Sequence, residues 1–271
     1  MNISKFILLS FLIMGSVFAE DMSLWQRIQP PEDISINGHH IDWLFNYTTV
    51  ICGFFFLLVC IGLFGFSWKY SEKRSVKAIY TYGNKKVHSL VILVIGAAVF
   101  FGADTAITVV SNNAYKDIFV NWPGENEDVF KVQVMAQQWA WNFRYAGPDG
   151  TFNTDDDIIS LNDLRIPNNK KVVIQMISKD VIHSLFLPNI RRKVDAIPGR
   201  VTRIWFQATK PGVYDIACAE MCGTHHYKMK AKLTVYNQED FNDWQNHASL
   251  LANVEANPEN PDLYWGWKWM N

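Results

Sequence analysis

Residues 44–66 read LFNYTTVICGFFFLLVCIGLFGF, 23 positions without a charged side chain. Such a run can cross the roughly 30 Å hydrocarbon core of a bilayer as a helix. In lipid, helix is the form that satisfies its own backbone hydrogen bonds. A second uncharged run covers 87–103 and continues past Asp104 to Val110. The expectation is a transmembrane hairpin, with helices over 44–68 and 88–110 and a connecting loop over 69–87. That loop region holds Lys69, Lys73, Arg74, Lys77, Lys85 and Lys86 against Glu72. Ahead of the first helix, Glu20, Asp21, Glu32, Asp33 and Asp42 face Arg27 alone. The positive-inside bias puts the loop in the cytoplasm and everything after about residue 111 on the periplasmic side. A multi-pass protein of a bacterial inner (plasma) membrane follows.

Further out, Lys5 precedes an apolar run over 6–18, and Val17-Phe18-Ala19 stands before Glu20. This pattern reads as a signal peptide over 1–19, cleaved after Ala19; an uncleaved anchor is the alternative. Residues 20–43 then form an exported N-terminal segment.

The composition narrows the rest. Lys+Arg is 25 and Asp+Glu 26, a net charge of −1, which argues against a nucleic-acid binder. Charged residues make up 19% and aromatics 14%, too aromatic a balance for a disordered chain. Four Cys in 271 residues do not make a disulfide scaffold, and no C-x-x-C-H haem attachment motif occurs.

From Val129 onward the pattern turns to short alternating or β-branched runs, at 129–135, 139–145, 172–177, 201–207, 213–217 and 231–236. Turn signals separate them: Gly147-Pro148-Asp149-Gly150, Ile197-Pro198-Gly199 and Lys210-Pro211-Gly212. Many short strands without a helical period predict a sandwich or small barrel. Residues 238–256 read as a helix, with Phe241, Trp244, Ala248 and Leu251 roughly on one face. The tail Tyr264-Trp265-Gly266-Trp267-Lys268-Trp269-Met270-Asn271 is aromatic, as expected of a segment that meets lipid headgroups or a partner subunit. The acidic turn with Asp149, Asp155, Asp156 and Asp157 reads as a solvated loop, a calcium loop being the alternative.

The chemistry concentrates in Cys218-Ala219-Glu220-Met221-Cys222-Gly223-Thr224-His225-His226-Tyr227-Lys228-Met229. Thiolates, imidazole and thioether are soft and borderline ligands that favour copper over magnesium or calcium. A disulfide loop is the competing explanation in an exported domain. A further imidazole is available from His183, after the 172–177 strand. Met221 lies inside the segment and is expected to pack in the core or at an interface.

This segment closely resembles the dinuclear CuA loop of the cytochrome c oxidase subunit II family, whose pattern is C-x-E-x-C-x-x-x-H-x-x-M with a distant His. The resemblance extends over residues 87–236. It includes Gln138-Trp139-Ala140-Trp141 and Lys193-Val194-Asp195-Ala196-Ile197-Pro198-Gly199-Arg200. It implies an all-β cupredoxin-like barrel over 119–237 behind the two-helix hairpin, then a C-terminal helix and aromatic tail over 238–271. Carried over by position, Cys218 and Cys222 bridge two copper ions. His183 and Met229 complete one, and His226 and the backbone carbonyl of Glu220 complete the other, leaving His225 as a neighbour. Trp139 is implied as the point where electrons arrive from cytochrome c, and Ala140 stands where the family often has an aromatic. The Glu220 carboxylate is implied to ligate a magnesium shared with the haem-copper catalytic subunit I. Lys193, Asp195 and Arg200 are implied to meet that subunit. No haem is expected on this chain.

His88 stands where the family commonly has a Glu at the mouth of a proton path, and an interfacial His can exchange protons near neutral pH. The implied function is electron input to a respiratory terminal oxidase that couples O2 reduction to proton translocation. A CuA-bearing nitric-oxide reductase subunit is an alternative. A membrane-anchored copper chaperone would not need Met229, Trp139 or the 193–200 segment.

Overall fold

The computed structural model describes residues 29–251 except 75, 76, 78, 79, 125, 126 and 155. The expected signal peptide, the tail beyond 251 and Asp155 lie outside the described residues.

Among the described residues, two helices are long and apolar enough to cross a membrane: α1 (Gly38–Lys69) and α2 (Lys86–Val120). At 1.5 Å per residue, the 32 residues of α1 extend about 48 Å, longer than a bilayer core. Both exceed the expected spans because polar residues continue the helices beyond the hydropathic stretch. The N-terminal end of α1 is set by Asp33 and Ser35. Asp33 Oδ1 accepts from the Ser35 backbone N–H at 3.0 Å and from its hydroxyl at 2.9 Å. Ser35 Oγ in turn accepts the Gly38 N–H at 2.8 Å. A Cβ on Gly38 would meet the Asp33 carboxylate, so a larger residue there would displace the group that accepts from Ser35. In α2 the regular helix opens into π-helical turns at Val99–Asp104 and Lys116–Val120. The Tyr47 hydroxyl of α1 donates to the Gly102 carbonyl at the first of these, at 3.1 Å.

The following domain is a sandwich of two five-stranded sheets. One has the order β3-β2-β1-β5-β8, formed by Ile158–Leu161, Ala140–Tyr145, Val129–Gln137, Lys171–Ser178 and Thr202–Gln207. The other has the order β4-β10-β9-β6-β7, formed by Asp163–Pro167, Lys230–Tyr236, Gly212–Cys218, His183–Leu187 and Arg192–Ala196. The β1–β5 and β4–β10 pairs are parallel, the other pairs antiparallel. Both sheets turn alternate residues inward: Ala231, Leu233 and Val235 are buried on β10, and Val172, Ile174 and Met176 on β5. Trp141, Phe143 and Tyr145 from β2 are fully buried and supply the bulk of the aromatic filling. Tyr145 also joins the sheets: its hydroxyl oxygen accepts the Arg165 N–H of β4 at 2.8 Å. Burial pushes this phenol well above the ordinary tyrosine range, so it stays protonated and available for hydrogen bonding.

One packing feature escaped the sequence pattern. Ile34, completely buried, threads into the sandwich, and its neighbour Ser35 forms a bridge with Ala208. The Ile34 N–H donates to Asn189 O and the Thr209 N–H donates to Ile34 O. Helix α3 (Gln238–Leu251) lays Phe241 and Trp244 against Phe130 and Tyr145, with ring centroids 5.1 and 5.2 Å apart. The acidic turn is not simply solvated. Asp157 is buried, accepts the Asn153 N–H at 2.8 Å and lies 3.8 Å from Arg144.

Candidate metal centre

The soft-donor segment is the connection between antiparallel β9 and β10. Cys218 ends β9, and its N–H donates to Met229 O at 3.1 Å, so both ends of the loop meet at the mouth of the hairpin. Inside the loop, a short 3-10 turn over His226–Lys228 brings the chain back, with Met229 N–H on His226 O at 3.1 Å. His183 opens β6, whose Leu185 pairs with Cys218 of β9. Sheet pairing thus carries a residue 35 positions upstream beside the cysteines, which is a non-local contact no spacing rule displays.

The expected ligand atoms converge. One nitrogen of His183 and the sulfurs of Cys218 and Cys222 lie within 4.8 Å of one another. The two sulfurs are 3.8 Å apart and both cysteines are free. Cys218 Sγ lies 3.2 Å from the Glu220 carbonyl oxygen. Cys222 Sγ lies 3.5 Å from His226 Nδ1 and 3.8 Å from Met229 Sδ. His183, Cys222 and Met229 are buried almost completely, and Cys218 is 9% exposed.

His183 Nε2 sits 2.8 Å from Asp180 Oδ1, whereas its Nδ1 is buried without a hydrogen-bond partner. A buried imidazole nitrogen without a partner, on a ring that lies beside two thiols, is the donor arrangement expected of a soft-metal site. The protons of the thiol pair are unequally held. Burial alone would raise the Cys218 thiol, but His183, the backbone at Ser184 and Glu220, and His226 draw it down to about 6. Burial and the adjacent Cys218 sulfur push Cys222 up to about 12. In the metal-free pair, one thiolate is therefore favoured and one proton retained.

Trp139 stands over this loop in the β1–β2 turn rather than within a strand. Its indole N–H donates to Cys222 O at 3.3 Å, and its ring packs against His225 with centroids 4.5 Å apart. His225 is exposed and makes no contact with either sulfur among those described. Met221 is 75% exposed, so it does not belong to the core. The Glu220 side chain is also exposed while its carbonyl turns inward to Cys218.

Lys193 and Asp195 lie on β7, which pairs with the His183 strand, and Asp195 is opposite Ser184. Asp195 O accepts the Thr202 hydroxyl at 2.6 Å, and Arg200 is exposed on the turn that follows. His88, in the first turn of α2, is remote in the chain from this cluster, and its Nδ1 is buried without a hydrogen-bond partner. Sequence reading missed Gln138 and Asp180, both in contact with the site. Asp180 sits three residues before His183, where its carboxylate reaches back to the ring. That spacing is the one available signal for it.

Residues 130–235 match the family described as cytochrome C oxidase subunit II, periplasmic domain. Over 272 residues the chain is 30% identical to the alternative cytochrome c oxidase subunit 2 of Bradyrhizobium diazoefficiens, covering 92% of this chain and 94% of that one. It is 38% identical over 133 residues to the cytochrome c oxidase subunit 2 of Thermostichus vulcanus, covering 49% and 38% respectively. A crystal structure of the periplasmic domain of subunit II of cytochrome oxidase from Bradyrhizobium japonicum overlaps 48% of this chain and 97% of its own. It does so with a TM-score of 0.41 and 28% identity.

Proposed function

Because the chain belongs to the cytochrome c oxidase subunit II family and is a subunit of a haem-copper terminal oxidase, we propose that it is the electron-input subunit. In this reading it accepts electrons from cytochrome c and passes them to haem in catalytic subunit I for O2 reduction coupled to proton translocation. The observation that carries the reading is the convergence of His183, Cys218 and Cys222 within 4.8 Å, with Met229 and His226 against Cys222.

These donors fit a dinuclear copper centre. Cys218, Cys222, His183, Met229, His226 and the Glu220 carbonyl would together hold it. Bound there, such a centre supplies reversible one-electron storage shared over two metals. The protein's part is to hold the donors still. The β9–β10 hairpin fixes both ends of the loop through Cys218 N–H to Met229 O. Burial of His183, Cys222 and Met229 keeps water from the sulfurs. A rigid donor set that does not rearrange between oxidation states keeps the reorganisation cost of transfer low.

Trp139 is assigned as the site of electron arrival, since its ring is half-exposed and its N–H reaches the Cys222 carbonyl. The outward carboxylate of Glu220 is assigned to a magnesium shared with catalytic subunit I. Lys193, Asp195 and Arg200 are assigned to contact with that subunit. His88 is proposed for the mouth of a proton path, a membrane-edge residue without a proton role being the alternative. The membrane is a bacterial inner membrane, with the copper domain on its periplasmic face. The purified complex should consume O2 with reduced cytochrome c as donor; consumption of NO without O2 consumption, together with the haem content, would overturn the oxidase reading.

A further inference from the structure

Three separate segments meet around Gln138 and Asp180. Gln138 belongs to the β1–β2 turn that carries Trp139, Asp180 to the turn before β6 that carries His183, and Cys222 to the β9–β10 loop. The Gln138 backbone N–H donates to Asp180 Oδ2 at 2.6 Å. Its side-chain Nε2 donates to Cys222 O at 2.8 Å, the same carbonyl that receives the Trp139 indole. Asp180 uses its other oxygen on His183 Nε2 at 2.8 Å, and that oxygen also accepts the Val181 N–H at 2.7 Å. Gly223 leaves room for the arrangement: a Cβ there would come within 3.0 Å of Gln138 Nε2 and 3.2 Å of the Trp139 ring, at a φ of +120°.

We propose that Gln138 and Asp180 form a positioning bridge that couples the Trp139 turn to both His183 and the Cys222 loop. The bridge fixes at once the His183 tautomer and the seat of the indole. It rests on the copper assignment above and adds two residues outside the donor set. The chemistry is specific at both ends. A carboxylate on Nε2 holds the ring proton there and leaves the Nδ1 lone pair free for a metal; it also makes the ring a stronger donor to the oxidised centre. An amide donating to the Cys222 carbonyl holds the loop backbone at the point where the indole N–H arrives. Asp180 alone, binding both Gln138 and His183, makes these two effects one unit.

The test uses the assembled oxidase carrying Asp180→Asn, Asp180→Glu, Gln138→Leu or the Asp180→Asn/Gln138→Leu pair. Copper content, the optical and EPR signature, the midpoint potential and the stopped-flow rate of reduction by cytochrome c are measured. Asp180→Asn should keep its copper, raise the midpoint potential by weakening the imidazole as a donor, and slow reduction on the order of tenfold, the lower end of the effect of removing such supporting groups. Asp180→Glu should restore part of both. Gln138→Leu should slow reduction with little change in potential, and the double variant should fall short of the summed single effects, as coupled residues do. Single variants with full copper and unchanged potential and rate would overturn the bridge. So would loss of copper in Asp180→Asn and Asp180→Glu alike, which would make Asp180 only a folding element. A wild-type complex without two coppers in this chain would instead refute the metal assignment itself.

Discussion

Arg191 grips Asp42 with two hydrogen bonds, Nε on one carboxylate oxygen at 2.7 Å and Nη2 on the other at 3.1 Å. The pair ties the outer end of α1 to the sandwich at the residue just before β7, next to the segment assigned to meet the catalytic subunit. Arg191 has a left-handed backbone at φ 62°, and its Nη1 also donates to Pro188 O at 2.7 Å. With the buried Ile34, this makes two independent ties between the membrane helix and the domain that holds the donor cluster.

Breaking the tie should loosen the domain on its anchor. Charged hydrogen bonds contribute about 1.5–3 kcal/mol when buried. The Asp42 side chain is 30% exposed, so solvent reduces the expected cost of Arg191→Leu to about 1–2 kcal/mol. Arg191→Lys should recover little, since an ammonium cannot span both carboxylate oxygens. Thermal unfolding of the complex measures the loss; a transition unchanged by Arg191→Leu would show that the pair contributes nothing.

Trp139→Ala should slow reduction by cytochrome c while leaving the metal spectrum nearly unchanged, because the indole contacts a backbone carbonyl rather than a sulfur. Gly223→Ala should act in the same direction by displacing that ring. Stopped-flow reduction rates check both, and rates equal to wild type would move the arrival point elsewhere on the surface.

Tyr145→Phe should destabilise the sandwich by about 1–3 kcal/mol, the cost of leaving the Arg165 N–H without its acceptor inside the protein. Chemical denaturation of the full chain in detergent should show a lower midpoint at unchanged slope.

Asp157 gives a pH signature. Burial, reinforced by Asp156 and Asp149 and opposed by Asn153 and Arg144, raises its carboxyl to about 6. A carboxyl whose folded pKa is raised stabilises the fold when protonated. Its contribution is fully present below the unfolded value near 4 and is lost as pH climbs through about 6. Asp157→Asn should flatten stability between pH 4 and 6.5; an unchanged pH profile would contradict the assignment.

Much of the architecture was legible because it follows local periodicity. The two apolar runs became α1 and α2, and six of the strands lie where β-branched alternation placed them. The strands at Ile158–Leu161, Asp163–Pro167, His183–Leu187 and Arg192–Ala196 carry no such alternation. They are short, and their polar residues belong to turns, pairings and the donor site rather than to an alternating pattern. Ile34 was hidden for a similar reason, a lone apolar side chain in a polar stretch whose burial depends on Asn189 and Thr209 far along the chain. The donor cluster could be named from C-x-x-x-C with His226 and Met229 because those residues share one loop. Gln138 and Asp180 could not, since what joins them is the packing of three loops at one end of the sandwich.

Copper content and low-temperature EPR of the purified complex decide whether this chain carries a dinuclear centre, with Cys218→Ser, Cys222→Ser and His225→Ala beside wild type. Two coppers should be bound to this chain, with hyperfine structure from one unpaired electron shared by both nuclei. Either serine variant should lose that signal, and His225→Ala should keep it. A signal from a single isolated copper, no copper on the chain, or loss of the shared-electron spectrum in His225→Ala would contradict the dinuclear assignment.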